Sequence, residues 1–258
     1  MSEGFLAVDL GNTRLKATWL PDVGEPETAY FDRDDVEGLM SMVERYGVRR
    51  IGMSSVGNVN ARLAETLRQA VDGNFLLMTP ATELPVRISY EDSRTLGLDR
   101  KATAVAAAGI CRGESVTVVD AGTAVTVDLV SADGEFLGGN ISPGLSMRFE
   151  ALHRFTARLP QIDVRDAAFR DAQIPAFGHS TREAMLAGAA GGMLDEICAA
   201  ALRGVEAGAR RMLLTGGDAP WLLGRLRSRL DGKLTIDYEP DLLAKGIRAI
   251  YRHHEDTN

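Results

Sequence analysis

A short pattern occurs twice in this chain, and its two copies lie close to half of the 258-residue length apart. Residues 5–19 read FLAVDLGNTRLKATW, and residues 117–130 read TVVDAGTAVTVDLV. When Asp9 is aligned with Asp120, both copies show aliphatic residues, then Asp-x-Gly, then a second alternating run. Each copy predicts a strand, a tight turn and a second strand. The repeat therefore predicts two similar domains, each beginning with a β-hairpin that carries an aspartate at its turn.

The rest of the chain alternates between helical and extended patterns. The helical periodicity predicts helices at 35–46, 60–72, 99–111, 145–155, 180–204, 220–230 and 241–253. Short strands are predicted at 49–54, 75–78, 134–139 and 211–214. Hairpins followed by β/α units, twice over, predict an α/β protein with mixed sheets. The polar link at 112–115 places the expected boundary between domains 1–113 and 114–258.

Charge and hydropathy exclude several classes of protein. A formal net charge of −7 disfavours nonspecific binding to nucleic acid, which usually needs a basic surface. The sequence has no stretch of roughly 20 apolar residues, the length that a membrane helix needs. Its first residues do not resemble a signal peptide. We therefore expect a cytoplasmic protein with no nucleic-acid partner and no membrane partner.

Other common motifs are missing from the sequence. Cys111 and Cys198 are far apart within apolar helical patterns, so we expect buried thiols rather than a disulfide. No cysteine or histidine spacing suggests a zinc site. The sequence has no P-loop, no G-x-G-x-x-G after a strand and no G-x-S-x-G elbow.

The first turn has the residue types that bind phosphate. Gly11 lets a ligand approach the backbone closely, and exposed amides together with Asn12 and Thr13 can donate hydrogen bonds to phosphate oxygens. Asp9 stands at a strand end, where a carboxylate can hold Mg²⁺ through water. Lys16 can point toward the same phosphates. The alternative is an ordinary hairpin, because Asp-x-Gly-Asn is also good turn chemistry.

The second turn repeats this chemistry with Asp120, Gly122 and Thr123. Two such turns facing one another would hold a polyphosphate and its cation from both sides. A repeated aspartate at a glycine turn is difficult to explain as loop sequence alone. The pair therefore favours binding of the phosphates of a nucleotide.

The segment 90–100, which reads YEDSRTLGLDR, adds a further carboxylate. Asp99 can cap the helix that follows it, or it can act as a general base that orients an attacking hydroxyl and accepts its proton. Arg100 can be an ordinary ion-pair partner or a neutraliser of substrate charge. The residues alone leave both alternatives open.

Two glycine-rich segments follow. Residues 138–144, GGNISPG, predict a loop before a helix, which either closes over a substrate or only connects two elements. Residues 213–220, LLTGGDAP, predict a strand, a glycine turn and a helix start. An adenine ring can lie against bare backbone at such a turn, although a tight connection would have the same sequence.

In this order, the motifs resemble those of the type III pantothenate kinases. The matching segments are DLGNTRLK at 9–16, Tyr90 with GLDR at 97–100, VVDAGTAVT at 118–126, GGNISPG at 138–144, GHST at 178–181 and LTGGDAP at 214–220. The resemblance covers nearly the whole chain, and the tyrosine with G-x-D-R is its most specific part. It implies two similar ribonuclease H-like domains of mixed β-sheet flanked by helices, as in the actin-like ATPase superfamily. It also implies ATP-dependent phosphorylation of pantothenate to 4'-phosphopantothenate, the first step of coenzyme A biosynthesis.

The resemblance implies a role for each matching residue. ATP and Mg²⁺ would be bound by Asp9, Leu10, Gly11, Asn12, Thr13, Arg14, Leu15 and Lys16, and ATP also by Thr123. The pantothenate pocket would be lined by Tyr90, Gly97, Leu98, Asp99, Arg100 and Thr181, with Asp99 as the catalytic base. Asp120 would bind a monovalent cation, K⁺ or NH₄⁺. The family forms homodimers, so Thr181 would contact pantothenate across the dimer interface.

Two positions depart from the family's pattern, and two other functions stay open. Phe155 stands where the family often has arginine, and Arg14 stands where a small or polar residue is common. A kinase of the same fold could act on a sugar or a small acid. A non-catalytic transcription accessory factor is the other alternative, but it would not need Asp9, Asp99 and Asp120. Pantothenate-dependent ATPase activity would separate these functions.

Overall fold

The computed structural model describes residues 3–11, 14–55 and 61–257, which form two compact units. Unit 1 contains the described residues up to Ile110, the short segment Gly134–Phe136 and the described residues from Asp241 onward. Unit 2 contains Cys111–Asp133 and Leu137–Pro240. The expected boundary at 113/114 lies close to the first change of unit, but the C-terminal residues belong to unit 1 rather than to a second consecutive domain.

Unit 1 is built on a five-stranded mixed sheet. Its strands are β1 Gly4–Leu10, β2 Arg14–Pro21, β3 Glu27–Asp32, β4 Ile51–Ser55 and β5 Phe75–Leu77. Their order is β3-β2-β1-β4-β5, with antiparallel pairing from β3 to β1 and parallel pairing from β1 to β5. The two-residue strand β6, Arg87–Ile88, pairs in parallel with Glu135 and Phe136. The sequence predicted the hairpin but missed β3 and β6.

The helices of unit 1 are α1 Val36–Tyr46, α2 Ala61–Ala70, α3 Leu98–Ile110 and α9 Leu242–Thr257. Helix α1 shows how local sequence sets their limits. The Asp35 side chain accepts a hydrogen bond from the Gly38 amide at its start. Gly47 adopts the left-handed conformation, with φ of 59°, at its end.

Helix α9 explains why the C-terminus belongs to unit 1. Its buried residues Ile247 and Ile250 share an apolar cluster with Phe5 of β1 and Ala102 of α3. Gly246 has no side chain where α9 crosses α3, and a Cβ there would overlap the backbone of Ala102. The alanine-rich sequence of α3 therefore permits a close helix crossing that a larger residue would prevent.

Unit 2 repeats the strand order of unit 1. Its strands are β7 Val116–Ala121, β8 Ala124–Val130, β9 Glu135–Pro143 (from Leu137 onward), β10 Arg211–Thr215 and β11 Thr235–Tyr238. Their order is β9-β8-β7-β10-β11. The β7–β8 pair is antiparallel, and β10 pairs in parallel with both β7 and β11. This order matches β3-β2-β1-β4-β5 strand for strand, so the sequence repeat reflects a repeat of topology.

Two local predictions in unit 2 need correction. Residues 138–143, expected in a loop, continue strand β9, because ladder hydrogen bonds hold glycine in a strand despite its low propensity. The helix expected at 180–204 is α6 Thr181–Met185, a π-helical turn Leu186–Gly191 and α7 Gly192–Glu206. The other helices are α4 Leu145–Arg154, α5 Ala167–Arg170 and α8 Ala219–Arg229.

One helical stretch, Thr181–Glu206, is long and apolar enough to cross a membrane by length and composition. Of its most apolar window, 56% is buried inside the structure. Its residues Met193, Leu194 and Ile197 belong to the main apolar cluster of unit 2. Core helices of soluble proteins meet the same criteria, so this stretch is weak evidence for a membrane span.

Candidate active site

The first hairpin places Asp9 and Lys16 side by side. Asp9 pairs across the β1–β2 ladder with Lys16, and the Gly11 amide donates a hydrogen bond to the Arg14 carbonyl at 3.0 Å. Gly11 does not have a left-handed φ, so its small size matters more here than its conformational freedom. Two residues expected to bind phosphate, Asn12 and Thr13, lie outside the described residues.

Leu10 and Leu15, also expected in the nucleotide site, have side chains in the core of unit 1. Their exposed fractions are 2% and 0%. Any contact that they make with a ligand is therefore through the backbone. Arg14, in contrast, is exposed at the start of β2.

Asp9 lies in a mostly buried position beside other charged and polar groups. The buried Ser54 hydroxyl donates a hydrogen bond to Asp9 Oδ1 at 2.6 Å. Burial raises the pKa of Asp9, and the negative charge of Asp99 raises it further, while Ser54 and Lys16 lower it. Asp9 and Asp99 therefore lie close enough to repel each other. Two nearby carboxylates fit a site that holds a cation and phosphate, since a cation relieves this repulsion.

Asp99 is the second residue of α3, so it lies within the first turn and not at the N-cap position that the capping interpretation requires. Its Oδ1 accepts a hydrogen bond from the Arg100 amide at 2.8 Å. Gly97 leaves the space that this carboxylate occupies, because a Cβ at Gly97 would overlap Asp99 Oδ1. Glycine at 97 therefore helps to fix the position of the Asp99 side chain.

Tyr90 and Arg100 come together around Phe136. The Arg100 guanidinium lies over the Phe136 ring at 5.4 Å, and the Tyr90 ring meets it edge to face with centroids 6.1 Å apart. Phe136 is fully buried, Arg100 is 5% exposed and Tyr90 is 39% exposed. The Ser89 amide also donates to the Phe136 carbonyl at 2.9 Å. Sequence reasoning did not identify Phe136, because its only local signal is an apolar residue in a short strand.

Lys101 connects the Tyr90 segment to helix α3. Its side chain is only 2% exposed, and its Nζ donates a hydrogen bond to the Pro80 carbonyl at 3.0 Å. Burial lowers the pKa of Lys101, and the charge of Asp92 opposes that shift. The lysine directly after Asp99 and Arg100 thus anchors the chain that leads to Tyr90. Sequence reasoning missed this role.

In unit 2, three turns pack together beside Asp120. The Gly122 amide donates to the Ala124 carbonyl at 2.9 Å, which repeats the closure of the first hairpin. The Asp218 amide donates to the Ala121 carbonyl, and the Gly144 amide donates to the Thr123 carbonyl, both at 2.9 Å. Thr123 is exposed, and open space lies in front of Gly122.

Gly216 is needed for this packing. It has a left-handed φ of 94°, and a Cβ would overlap both the Ala121 carbonyl and the Asp120 carboxylate. The TGGD segment therefore lies directly against the second aspartate turn. Burial raises the pKa of Asp218 in the same segment.

Thr181 is exposed at the start of α6. Ser180 caps α6, because its Oγ accepts a hydrogen bond from the Glu183 amide at 3.2 Å. The Glu183 carboxylate in turn accepts from the His179 amide at 2.7 Å. The GHST segment is thereby fixed as a helix start.

Within the described ranges, no group of three or more His, Cys, Asp or Glu side chains is arranged to hold a metal ion.

Comparison with known proteins decides the family. A family model described as type III pantothenate kinase matches residues 5–202. The chain belongs to the type III pantothenate kinase family. The match includes both aspartate turns, the Tyr90 to Arg100 segment and the start of the α6–α7 helix.

Curated members of the family match nearly the whole chain. The type III pantothenate kinase of Porphyromonas gingivalis is 37% identical over 251 residues, which cover 96% of this chain and 98% of that protein. The Flavobacterium johnsoniae protein of the same name is 30% identical over 261 residues, which cover 98% and 99%.

Solved structures establish the fold. The activator of the 2-hydroxyisocaproyl-CoA dehydratase from Clostridium difficile superposes with a TM-score of 0.55 at 14% identity, covering 98% of this chain and 97% of that one. A ROK hexokinase from Thermus thermophilus gives 0.51 at 16% identity, covering 96% and 98%. The chain has the actin-like ATPase fold, with two mixed sheets flanked by helices.

Proposed function

We propose that this protein transfers the γ-phosphoryl group of ATP to the primary hydroxyl of pantothenate, giving 4'-phosphopantothenate in the first step of coenzyme A biosynthesis. The observation that carries this proposal is the family match over residues 5–202, and the electrostatic coupling of Asp9 and Asp99 in unit 1 supports it. Phosphoryl transfer needs charge compensation and alignment more than covalent help. One carboxylate can hold the cation of MgATP while the other receives the acceptor hydroxyl.

On the nucleotide side, Asp9 and Lys16 carry the chemistry. Mg²⁺ bound near Asp9 would neutralise charge on the ATP phosphates. Asp9 would hold this ion through water, and Lys16, opposite it on β2, would approach the same phosphates. The Gly11 amide is occupied by the Arg14 carbonyl, so this amide would not itself donate to phosphate.

On the acceptor side, Asp99 is the proposed base. The Arg100 amide holds Asp99 Oδ1 in place, and Gly97 gives that oxygen its space. In this mechanism, Asp99 orients the pantothenate hydroxyl and accepts its proton as the new P–O bond forms. Asp99→Asn should abolish turnover, which ADP release would measure. It should leave the fold intact, which circular dichroism would measure.

The rest of the pantothenate pocket would be formed around Phe136. Arg100 supplies a positive charge that can neutralise the pantothenate carboxylate, and Tyr90 offers a partly exposed ring and hydroxyl. Leu98 is largely buried in the core, so it would contribute backbone rather than side chain.

For unit 2, we propose that Asp120 binds a monovalent cation, K⁺ or NH₄⁺, and that Thr123 contacts ATP. The Asp120 carboxylate and the Ala121 carbonyl both face Gly216, so two oxygen atoms lie close together there. Hard cations favour such oxygen ligands. We expect little activity in sodium-only buffer and recovery when potassium is added. Equal rates in the two buffers would count against this cation site.

We also propose that the enzyme is a cytoplasmic homodimer in which Thr181 reaches the pantothenate of the partner subunit. Support comes from large apolar side chains that unit 2 leaves exposed, including Ile141 at 64%, Phe155 at 82% and Phe177 at 84%. Contiguous apolar patches commonly mark an interface, so this proposal expects these side chains to contact the partner subunit. Sedimentation of the purified protein tests this, and Phe177→Ser should shift a dimer toward monomer.

The test of the function is ADP release with Mg-ATP and K⁺, with and without pantothenate. Strong stimulation by pantothenate, with 4'-phosphopantothenate identified by mass spectrometry, is the expected result. Stimulation by a sugar or a small acid instead would identify a different kinase of the same fold. No ATP turnover with any acceptor would favour the non-catalytic alternative.

A further inference from the structure

A second charged cavity lies in unit 1 at the other end of the first hairpin. Pro21 pairs with Gly4 on the β1–β2 ladder, whereas Lys16 pairs with Asp9. These positions are five residues apart, which corresponds to about 17 Å along a strand. The cavity is therefore separate from the Asp9 site.

The cavity is formed by the end of β2, the chain after it and one face of α9. Its volume is about 430 Å³, and its charged lining residues are Asp22, Glu25, Lys245, Arg248 and Arg252. The three cations recur along α9 at spacings of three and four residues, which places them on one face of the helix. The space is larger than a single phosphate ion needs.

Cations exceed anions around this cavity. Asp22 is shared between Arg50 and Arg252, with N–O distances of 3.5 Å to each. The cavity itself is lined by three cations and by two carboxylates, Asp22 and Glu25. Glu255 lies further along α9, where its carboxylate accepts a hydrogen bond from the Tyr251 hydroxyl.

Arg248 is the most informative of these side chains. It is half-buried, and within the described ranges its guanidinium makes no hydrogen bond and no ion pair shorter than 4 Å. Burial lowers the pKa of Arg248, the charges of Arg252 and Arg50 lower it further, and Asp22 opposes them. A half-buried guanidinium with free donors, next to like charges, is costly unless an anion completes the site.

We propose that this cavity binds a phosphate group, either free or carried on a small ester. Guanidinium groups match phosphate oxygens with paired hydrogen bonds, and Arg248 and Arg252 can donate to one phosphate while Lys245 adds a point charge. The remaining volume accommodates the organic part of a small phosphate ester. This proposal does not depend on the reaction at Asp99.

The test is calorimetric titration of the whole protein with inorganic phosphate and, separately, with glycerol 3-phosphate. The nucleotide site is first saturated with Mg²⁺ and a non-hydrolysable ATP analogue, so that phosphate binding there does not contribute. We expect one saturable site per chain. Arg248→Gln and Arg252→Gln should each weaken it about tenfold or more, since each removes a charge-assisted hydrogen bond.

Arg45→Gln is the matched control, because Arg45 is an exposed arginine of the same unit that pairs with Glu27. It should bind phosphate like the unmodified protein. If Arg248→Gln does not fold, the more exposed Arg252→Gln still decides the question. Failure of both probes to bind, or equal binding by all variants, would overturn the proposal. Binding of only one probe would identify whether the site takes free phosphate or an ester.

Discussion

Gly97 offers a test of how Asp99, the proposed catalytic carboxylate, is positioned. In Gly97→Ala, the new Cβ would overlap Asp99 Oδ1 and lie 3.5 Å from its Cγ. The overlapping atom is the end of a short rotatable side chain, so the carboxylate can turn away at a cost of about 1 kcal/mol. A displacement of about 1 Å at a reacting group can cost about 100-fold in rate. We therefore expect kcat to fall about 100-fold while the stability changes little.

The assay is steady-state ADP release at saturating Mg-ATP and pantothenate, with urea unfolding of the same samples. Gly109→Ala, in the helix that follows Gly97, is the matched control, because a Cβ there has no neighbour within 4 Å. Its kcat should equal that of the unmodified protein. Asp99→Asn gives the lowest kcat expected in this series, since loss of a general base costs about 10²- to 10⁴-fold in rate. A Gly97→Ala variant with nearly full kcat would refute the argument that this glycine sets the position of Asp99.

Two further changes test packing and electrostatics. Gly246→Ala should destabilise the protein by about 1–3 kcal/mol in urea unfolding, because its Cβ would overlap the Ala102 backbone; exposed Gly224→Ala, with open space around it, should show no loss. Ser54→Ala removes a hydrogen bond that lowers the pKa of Asp9. The acidic limb of the kcat/KM profile should therefore move to higher pH. If this limb does not move, Asp9 is not its source. Because the pKa of Asp9 is raised by folding, its contribution to stability is present below the unfolded pKa and is lost as pH rises through the folded pKa.

The sequence was most informative where the signals are local. The Asp-x-Gly repeat predicted both hairpins, because alternation and turn residues act over a few positions. The cap at Asp35 and the helix start at Ser180 are local for the same reason. The placement of Asp99 in the first turn of α3 followed from its position before an alanine-rich run.

Other features depend on contacts between distant residues. Phe136 contacts Tyr90 and Arg100 across more than 30 residues of sequence, and no local pattern marks it. The segment 138–143 has the composition of a loop, but pairing within the sheet makes it a strand. The addition of α9 to unit 1 depends on its packing against Phe5 and Ala102, which the order of elements along the chain does not indicate.

The place of α9 has a consequence for synthesis on the ribosome. Phe5 and Ala7 are made first, but the residues that cover them, Ile247 and Ile250, are made last. Unit 2 ends at Pro240, so all of its residues are available before α9 emerges. Part of the apolar surface of unit 1 therefore stays exposed until α9 has left the ribosome. During translation, the half of the protein that begins first is completed last.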